Sequence, residues 1–146
     1  MNKYSKKDTG KIGEILAQKY LESLGYRLIE KNFNCRYGEL DIIAGKENIL
    51  IFVEVKTRTS DLFGKPEESV GIQKIKRLRK ISELYISGRK NIHKLDIRFD
   101  IISIFIKKPV IERLHKIAKT SAISIIDLKN LKSSGKVKFE HLENAF

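Results

Sequence analysis

The chain is poor in the residues that staple or anchor a protein. Cys35 is its one cysteine among 146 residues, so no internal disulfide can form and a reducing cytoplasm is the expected location. No apolar run approaches the ~18 residues of a spanning helix, and Met1 to Lys7 carries no apolar leader segment, so a membrane is not an expected partner. There is no Gly-rich phosphate loop, which leaves ATP unimplied. His93, His115 and His141 show no metal-ligand spacing. Acidic residues are also scarce, eighteen against thirty basic ones, for a net charge of +12. Such an excess points to a polyanionic partner, most plainly nucleic acid, although a Lys- and Ile-rich proteome would give a similar bias.

What is present is an alternation of helical and strand patterns without internal repeat or low-complexity linker. Lys11 to Leu24 has apolar residues at 3.6-residue spacing, with Asp8 or Thr9 as the start and Gly25 as the stop. Glu14 falls at the margin of its buried face. Strands are expected over Arg27–Asn32, Glu39–Ala44 and Ile49–Thr57, the last two joined by hairpin-turn residues 45–48. Ser60–Pro66 reads as a loop and Glu67–Ser87 as a second helix, with Ile72, Ile75, Leu78, Ile81, Tyr85 and Ile86 inward. Leu95–Ile106 is a long apolar strand carrying Arg98 and Asp100. Beyond it, Ile111–Lys119 suits a short helix, Ile123–Ile126 a strand or a helix, and Val137–His141 a last strand. The order predicts one α/β domain over residues 1–146.

The chemistry concentrates in "ELDIIAGKENILIFVEVK", Glu39 to Lys56. Buried strands avoid charge unless it is paired, binds a metal or does chemistry. With an even-numbered hairpin loop, Asp41, Glu54 and Lys56 share one side of the sheet, and Asp41 lies opposite Glu54 or one diagonal step away. Two converging carboxylates suit Mg²⁺ or Mn²⁺, and an adjacent lysine suits an attacking water or a phosphate. Glu14 could add a third carboxylate, directly or through water. The plainer alternative is a surface Glu54–Lys56 pair at a frayed strand end, with Asp41 guarding an edge.

Asp41, twelve residues, then Glu54-Val55-Lys56 resembles the PD-(D/E)XK nuclease core. The wider text, "GKIGEILAQKYLESLGYRLIEKNFNCRYGELDIIA", "FVEVKTR", "RFDII" and "EHLENAF", resembles the YraN-like family of small bacterial proteins. The resemblance covers about residues 10–106 and 137–146. It implies a restriction-endonuclease-like fold, a central mixed β-sheet flanked by helices, similar to archaeal Holliday-junction resolvases. It further implies Asp41 and Glu54 as metal ligands, with the Val55 carbonyl and Glu14 beside them, Lys56 as the catalytic lysine, and a homodimer. The expected activity is metal-dependent cleavage of DNA, perhaps of branched or structured DNA. A nucleic-acid-binding module with little cleavage is the alternative.

Two departures from the family stand out. Relatives carry a glutamine on the second helix where this chain has Ile75, and Lys107–Lys136 is longer than expected, an insertion of loop character over one edge of the sheet. Seven basic residues lie between Lys74 and Lys90. Lys74, Lys76, Arg77 and Lys80 are therefore expected to meet phosphates without reading bases, as are Arg36 and Arg58.

Overall fold

The computed structural model describes residues 4–59, 71–120 and 123–145. The expected loop at Ser60–Pro66 and the first residues expected of helix two, Glu67–Val70, lie outside them. Helix α1 (Lys6–Ser23) begins earlier than the apolar pattern alone suggests. Ser5, rather than Asp8 or Thr9, is its cap: Asp8 N–H donates to Ser5 Oγ at 3.1 Å and Ser5 N–H to Asp8 Oδ2 at 3.0 Å, a reciprocal pair that satisfies two otherwise orphaned donors. The helix stops as expected at Gly25, whose φ of 92° lets Gly25 N–H reach Glu22 O and Tyr26 N–H reach Leu21 O, closing the terminal carbonyls.

Strands β1 (Arg27–Cys35), β2 (Gly38–Lys46), β3 (Ile49–Arg58), β4 (Asp96–Ile106) and β5 (Val137–Leu142) form one sheet in the order β1-β2-β3-β4-β5. Only β3 and β4 run parallel. Helix α2 (Ile72–Ser87) lies between them in the chain, the connection a parallel pair requires. A two-residue turn, Glu47-Asn48, joins β2 to β3 and sets Ile42 opposite Val53.

Helix α1 covers one face of the sheet, burying Ile12, Leu16, Ala17 and Leu21 against Ile42, Ala44, Ile51, Val53, Ile102 and Ile104. On the other face α2 buries Leu78, Ile81 and Tyr85 against Leu40, Ile43, Leu50 and Phe52. This two-sided cover explains the unbroken apolar run Ile49–Val53, because a strand buried on both faces has no polar side to alternate with. Ile72, expected inward, is 70% exposed, lying at the first position of α2, just ahead of its buried stripe.

The segment read as an insertion over one edge of the sheet holds two helices, α3 (Lys108–Thr120), which contains the short helix expected at Ile111–Lys119, and α4 (Ile125–Ser133). Val110, Ile111, Leu114, Ile123, Leu128 and Leu131 join the core beside α1, so it forms part of a layer rather than a flap at an edge. Together these elements make an α/β fold with a mixed sheet between helices, consistent with a restriction-endonuclease-like arrangement.

Candidate functional site

The two-residue turn of the β2–β3 hairpin brings Asp41 within electrostatic reach of Glu54. Continuing the register one step past Ile42 and Val53 places Asp41 opposite Glu54, and the side chains of Glu54 and Lys56 follow Leu50 and Phe52 toward α2. Asp41 accepts a hydrogen bond from Val55 N–H through Oδ2 at 2.8 Å. Burial, and then the charge of Glu54, push the Asp41 carboxyl up to about 7. Desolvation leads and the neighbouring carboxylate adds to it, both disfavouring the charged form.

Glu54 is buried, and its Oε1 lies 3.5 Å from Lys56 Nζ and in direct contact with Lys74 Nζ. Lys74 is therefore not simply a phosphate-facing residue of an exposed helix. It extends the stripe Leu78, Ile81, Tyr85 by one turn, at spacings of four, three and four, and so faces the sheet. Burial and the neighbouring Lys74 hold the Lys56 ammonium below the usual lysine range. For Lys74, burial acts in the same direction, but contact with Glu54 outweighs it and raises the value. The two lysines share one carboxylate, and Lys56 is the farther of the two from Glu54.

Glu14 is placed by a close approach of α1 to β3. A Cβ on Gly13 would stand 1.8 Å from Thr57 Oγ1 and 2.9 Å from Thr57 Cβ, so only glycine lets the helix pass. Glu14 then sits half-buried at the helix margin, as expected. With its amide nitrogen turned toward both acids, Asn32 donates to Glu14 Oε2 at 3.2 Å and to Glu39 Oε1 at 2.9 Å. Burial, then the charge of Glu39, raise the Glu14 pKa, and Glu54 adds to the effect. Among the described residues, no three His, Cys, Asp or Glu side chains are grouped closely enough to hold a metal ion directly. Glu14 is thus near the Asp41–Glu54 pair electrostatically without completing a ready-made ligand set.

The donor set still fits a hard divalent cation. Mg²⁺ commonly uses one or two carboxylates and several waters, and the repulsion that raises the Asp41 carboxyl is what a cation relieves. Val55 shows its amide on Asp41, which orients that carboxylate between the strands.

The other expected phosphate contacts lie on α2, in the β1–β2 turn and at the end of β3. Lys76, Arg77 and Lys80 are exposed on α2, and the Arg77 side chain runs past Gly38, which has φ 126°. Arg36 is exposed in the β1–β2 turn; its guanidinium carbon lies 4.9 Å from the Tyr37 ring centroid, and Lys80 Nζ lies 5.7 Å from the same centroid. A groove of about 380 Å³ between that turn and α2 is lined by Arg36, Tyr37, Lys80, Glu83, Leu84 and Ser87. Arg58 lies half-buried at the end of β3.

A second polar cluster lies within the sheet, on β4 and β5. Asp100, fully buried, receives Arg98 Nε at 2.8 Å and Nη2 at 2.7 Å, lies 2.8 Å from His141 Nε2, and accepts Asn144 N–H at 3.1 Å. Arg98 also donates to Tyr26 Oη at 2.7 Å. This network joins the segments that read "RFDII" and "EHLENAF" and ties the C-terminal strand down, in keeping with a packing role for His141.

These features define an α/β protein with a two-carboxylate, two-lysine cleft between a hairpin and a helix. Residues 13–104 match the uncharacterised protein family UPF0102, and the chain belongs to that family. It is 43% identical over 119 residues to a UPF0102 protein of Caldanaerobacter subterraneus subsp. tengcongensis, covering 80% of this chain and 97% of the relative. A UPF0102 protein of Syntrophus aciditrophicus is 46% identical over 99 residues, 68% of this chain and 77% of its own. One from Clostridium botulinum is 41% identical over 103 residues, covering 70% and 84%. No helix among the described residues is long and apolar enough to cross a membrane.

Proposed function

We propose that this protein is a metal-dependent endonuclease of PD-(D/E)XK type that hydrolyses phosphodiester bonds of DNA. The observation that carries this reading is the convergence of Asp41, Glu54 and Lys56 on one side of the hairpin, with Lys56 held below its ordinary proton affinity. Asp41 and Glu54, with the Val55 carbonyl, would hold Mg²⁺ or Mn²⁺, whose bound charge neutralises the phosphate oxygens. Lys56 would orient the attacking water and, in its neutral amine form, which the lowered pKa makes more accessible, take its proton. The new bond forms between water oxygen and phosphorus, and the bond to the leaving sugar oxygen breaks. Lys76, Arg77, Lys80 and Arg36 would track the backbone on either side of the cleft without reading bases. A homodimer would match the two-fold symmetry of a four-way junction.

One observation favours the alternative, a nucleic-acid-binding module with little cleavage: Glu54 is already neutralised by two lysines. The test is cleavage of labelled single-stranded, duplex, flap and four-way-junction DNA in Mg²⁺ or Mn²⁺, beside Asp41→Asn and Lys56→Ala. Metal-dependent cutting lost in both variants supports the nuclease and names its substrate. Binding without cutting of any substrate would leave the binding module standing instead.

A further inference from the structure

We infer that Lys74 is a built-in counter-ion of the cation site: it holds Glu54 in the metal-free protein, gives way to a divalent cation, and then serves the substrate phosphate. This rests on the reading that Asp41 and Glu54 hold that cation.

Geometry is the first support. Lys74 is aimed at the sheet by the stripe it shares with Leu78, Ile81 and Tyr85, and its side chain is only 26% exposed. It contacts the same oxygen of Glu54 that faces Lys56. A cation bound to that oxygen, at the roughly 2.0–2.1 Å of Mg²⁺, takes the space the ammonium uses.

Charge balance is the second. Asp41 and Glu54, with Glu14 nearby, bring at most three negative charges, and Lys56 and Lys74 bring two positive ones. Adding a divalent cation leaves an excess of positive charge in a half-buried cleft, which is unfavourable until an anion arrives. A phosphodiester supplies that anion. The displaced ammonium is a compact point charge on a flexible stem, suited to a phosphate oxygen. Cation and DNA should therefore bind more tightly together than separately.

The experiment is Mn²⁺ binding, followed by calorimetry and by the electron paramagnetic resonance of free Mn²⁺, at fixed ionic strength without DNA. Wild type is compared with Lys74→Met, Lys74→Gln, the charge-matched Arg79→Met on the same helix, and Glu54→Gln. Removing the competing ammonium should tighten Mn²⁺ binding about tenfold in both Lys74 variants, the scale of one charge-assisted hydrogen bond. Arg79→Met should match wild type, and Glu54→Gln should abolish binding. In Ca²⁺, the Lys74 variants should bind duplex DNA with a salt slope smaller by about one. Mn²⁺ affinity unchanged in the Lys74 variants, or raised equally by Arg79→Met, overturns the role of Lys74 and leaves the cation site intact. No Mn²⁺ binding by wild type or by either Lys74 variant overturns both readings together.

Discussion

Asp100 offers the sharpest test of how this fold is held. Asp100→Asn keeps the side-chain volume but replaces an anion with an amide whose nitrogen must face donors. The buried carboxylate accepts two bonds from Arg98 and one from Asn144 N–H, and pairs with His141. After the change the Arg98 guanidinium keeps its bond to Tyr26 Oη, but its remaining acidic partner is Glu143, 3.7 Å away and exposed. Breaking a buried pair from one side costs about 3–5 kcal/mol. Arg98 is 18% exposed, so some hydration remains and the lower end, about 3 kcal/mol, is expected. At roughly 2–4 °C per kcal/mol for a domain of this size, the melting temperature should fall by about 10 °C. Urea unfolding followed by circular dichroism measures the loss directly. His141→Ala should cost less. The double variant should cost less than the sum of the two, because both changes remove the same carboxylate–imidazole contact. The acid limb gives an independent check. Burial alone would raise the Asp100 carboxyl, but its bonds from His141, Arg98 and Asn144 outweigh that and hold it below the ordinary value. A depressed carboxyl stabilises the fold above the unfolded-state value and loses that contribution as pH falls through the folded one, so below about pH 4 the two proteins should converge. A loss under about 1 kcal/mol at pH 7, or a gap that widens in acid, would refute the reasoning.

Other expectations follow from the site. Gly13→Ala forces α1 away from Thr57, and should cost roughly 1–3 kcal/mol in urea unfolding while lowering DNA cleavage, since Glu14 moves with the helix; unchanged stability would mean the close approach is not real. Asp41→Asn should stabilise the metal-free protein as pH rises. With a folded-state value of about 7, the wild-type carboxyl binds more protons folded than unfolded between about pH 4 and 7, and wild-type stability falls across that window. The advantage of the variant should grow from near zero at pH 4 to at most about 4 kcal/mol at pH 8, and a pH-independent difference would count against the crowding of Asp41 by Glu54. Replacing Arg77 and Lys80 with Gln should weaken DNA binding similarly for all sequences and reduce the salt slope by about two; a sequence-dependent loss would mean the helix reads bases.

How much of this was legible in the chain depends on the range of the signal. The hairpin and the shared side of Asp41, Glu54 and Lys56 were readable because strand parity is local and a two-residue turn fixes it. The helix stop at Gly25 was readable for the same reason. Helices α3 and α4 were legible in part: a helix at Ile111–Lys119 was expected, but Ile125 and Ile126 remain exposed, which blurs the period around Ile123–Ile126. The Asp100 network was legible only in its local part: Arg98 stands two residues from Asp100 on one strand, but His141 lies 41 residues from Asp100 and Tyr26 72 residues from Arg98, and only the fold brings them together. Lys74 is the instructive case. Counted with its basic neighbours it belongs to a solvated face, yet its spacing from Leu78, Ile81 and Tyr85 puts it on the buried one. A charge at the end of a buried stripe must find a partner. The strand facing that stripe presents Glu54 at the matching height, so the pair was implied by two periodic patterns read together and by neither alone.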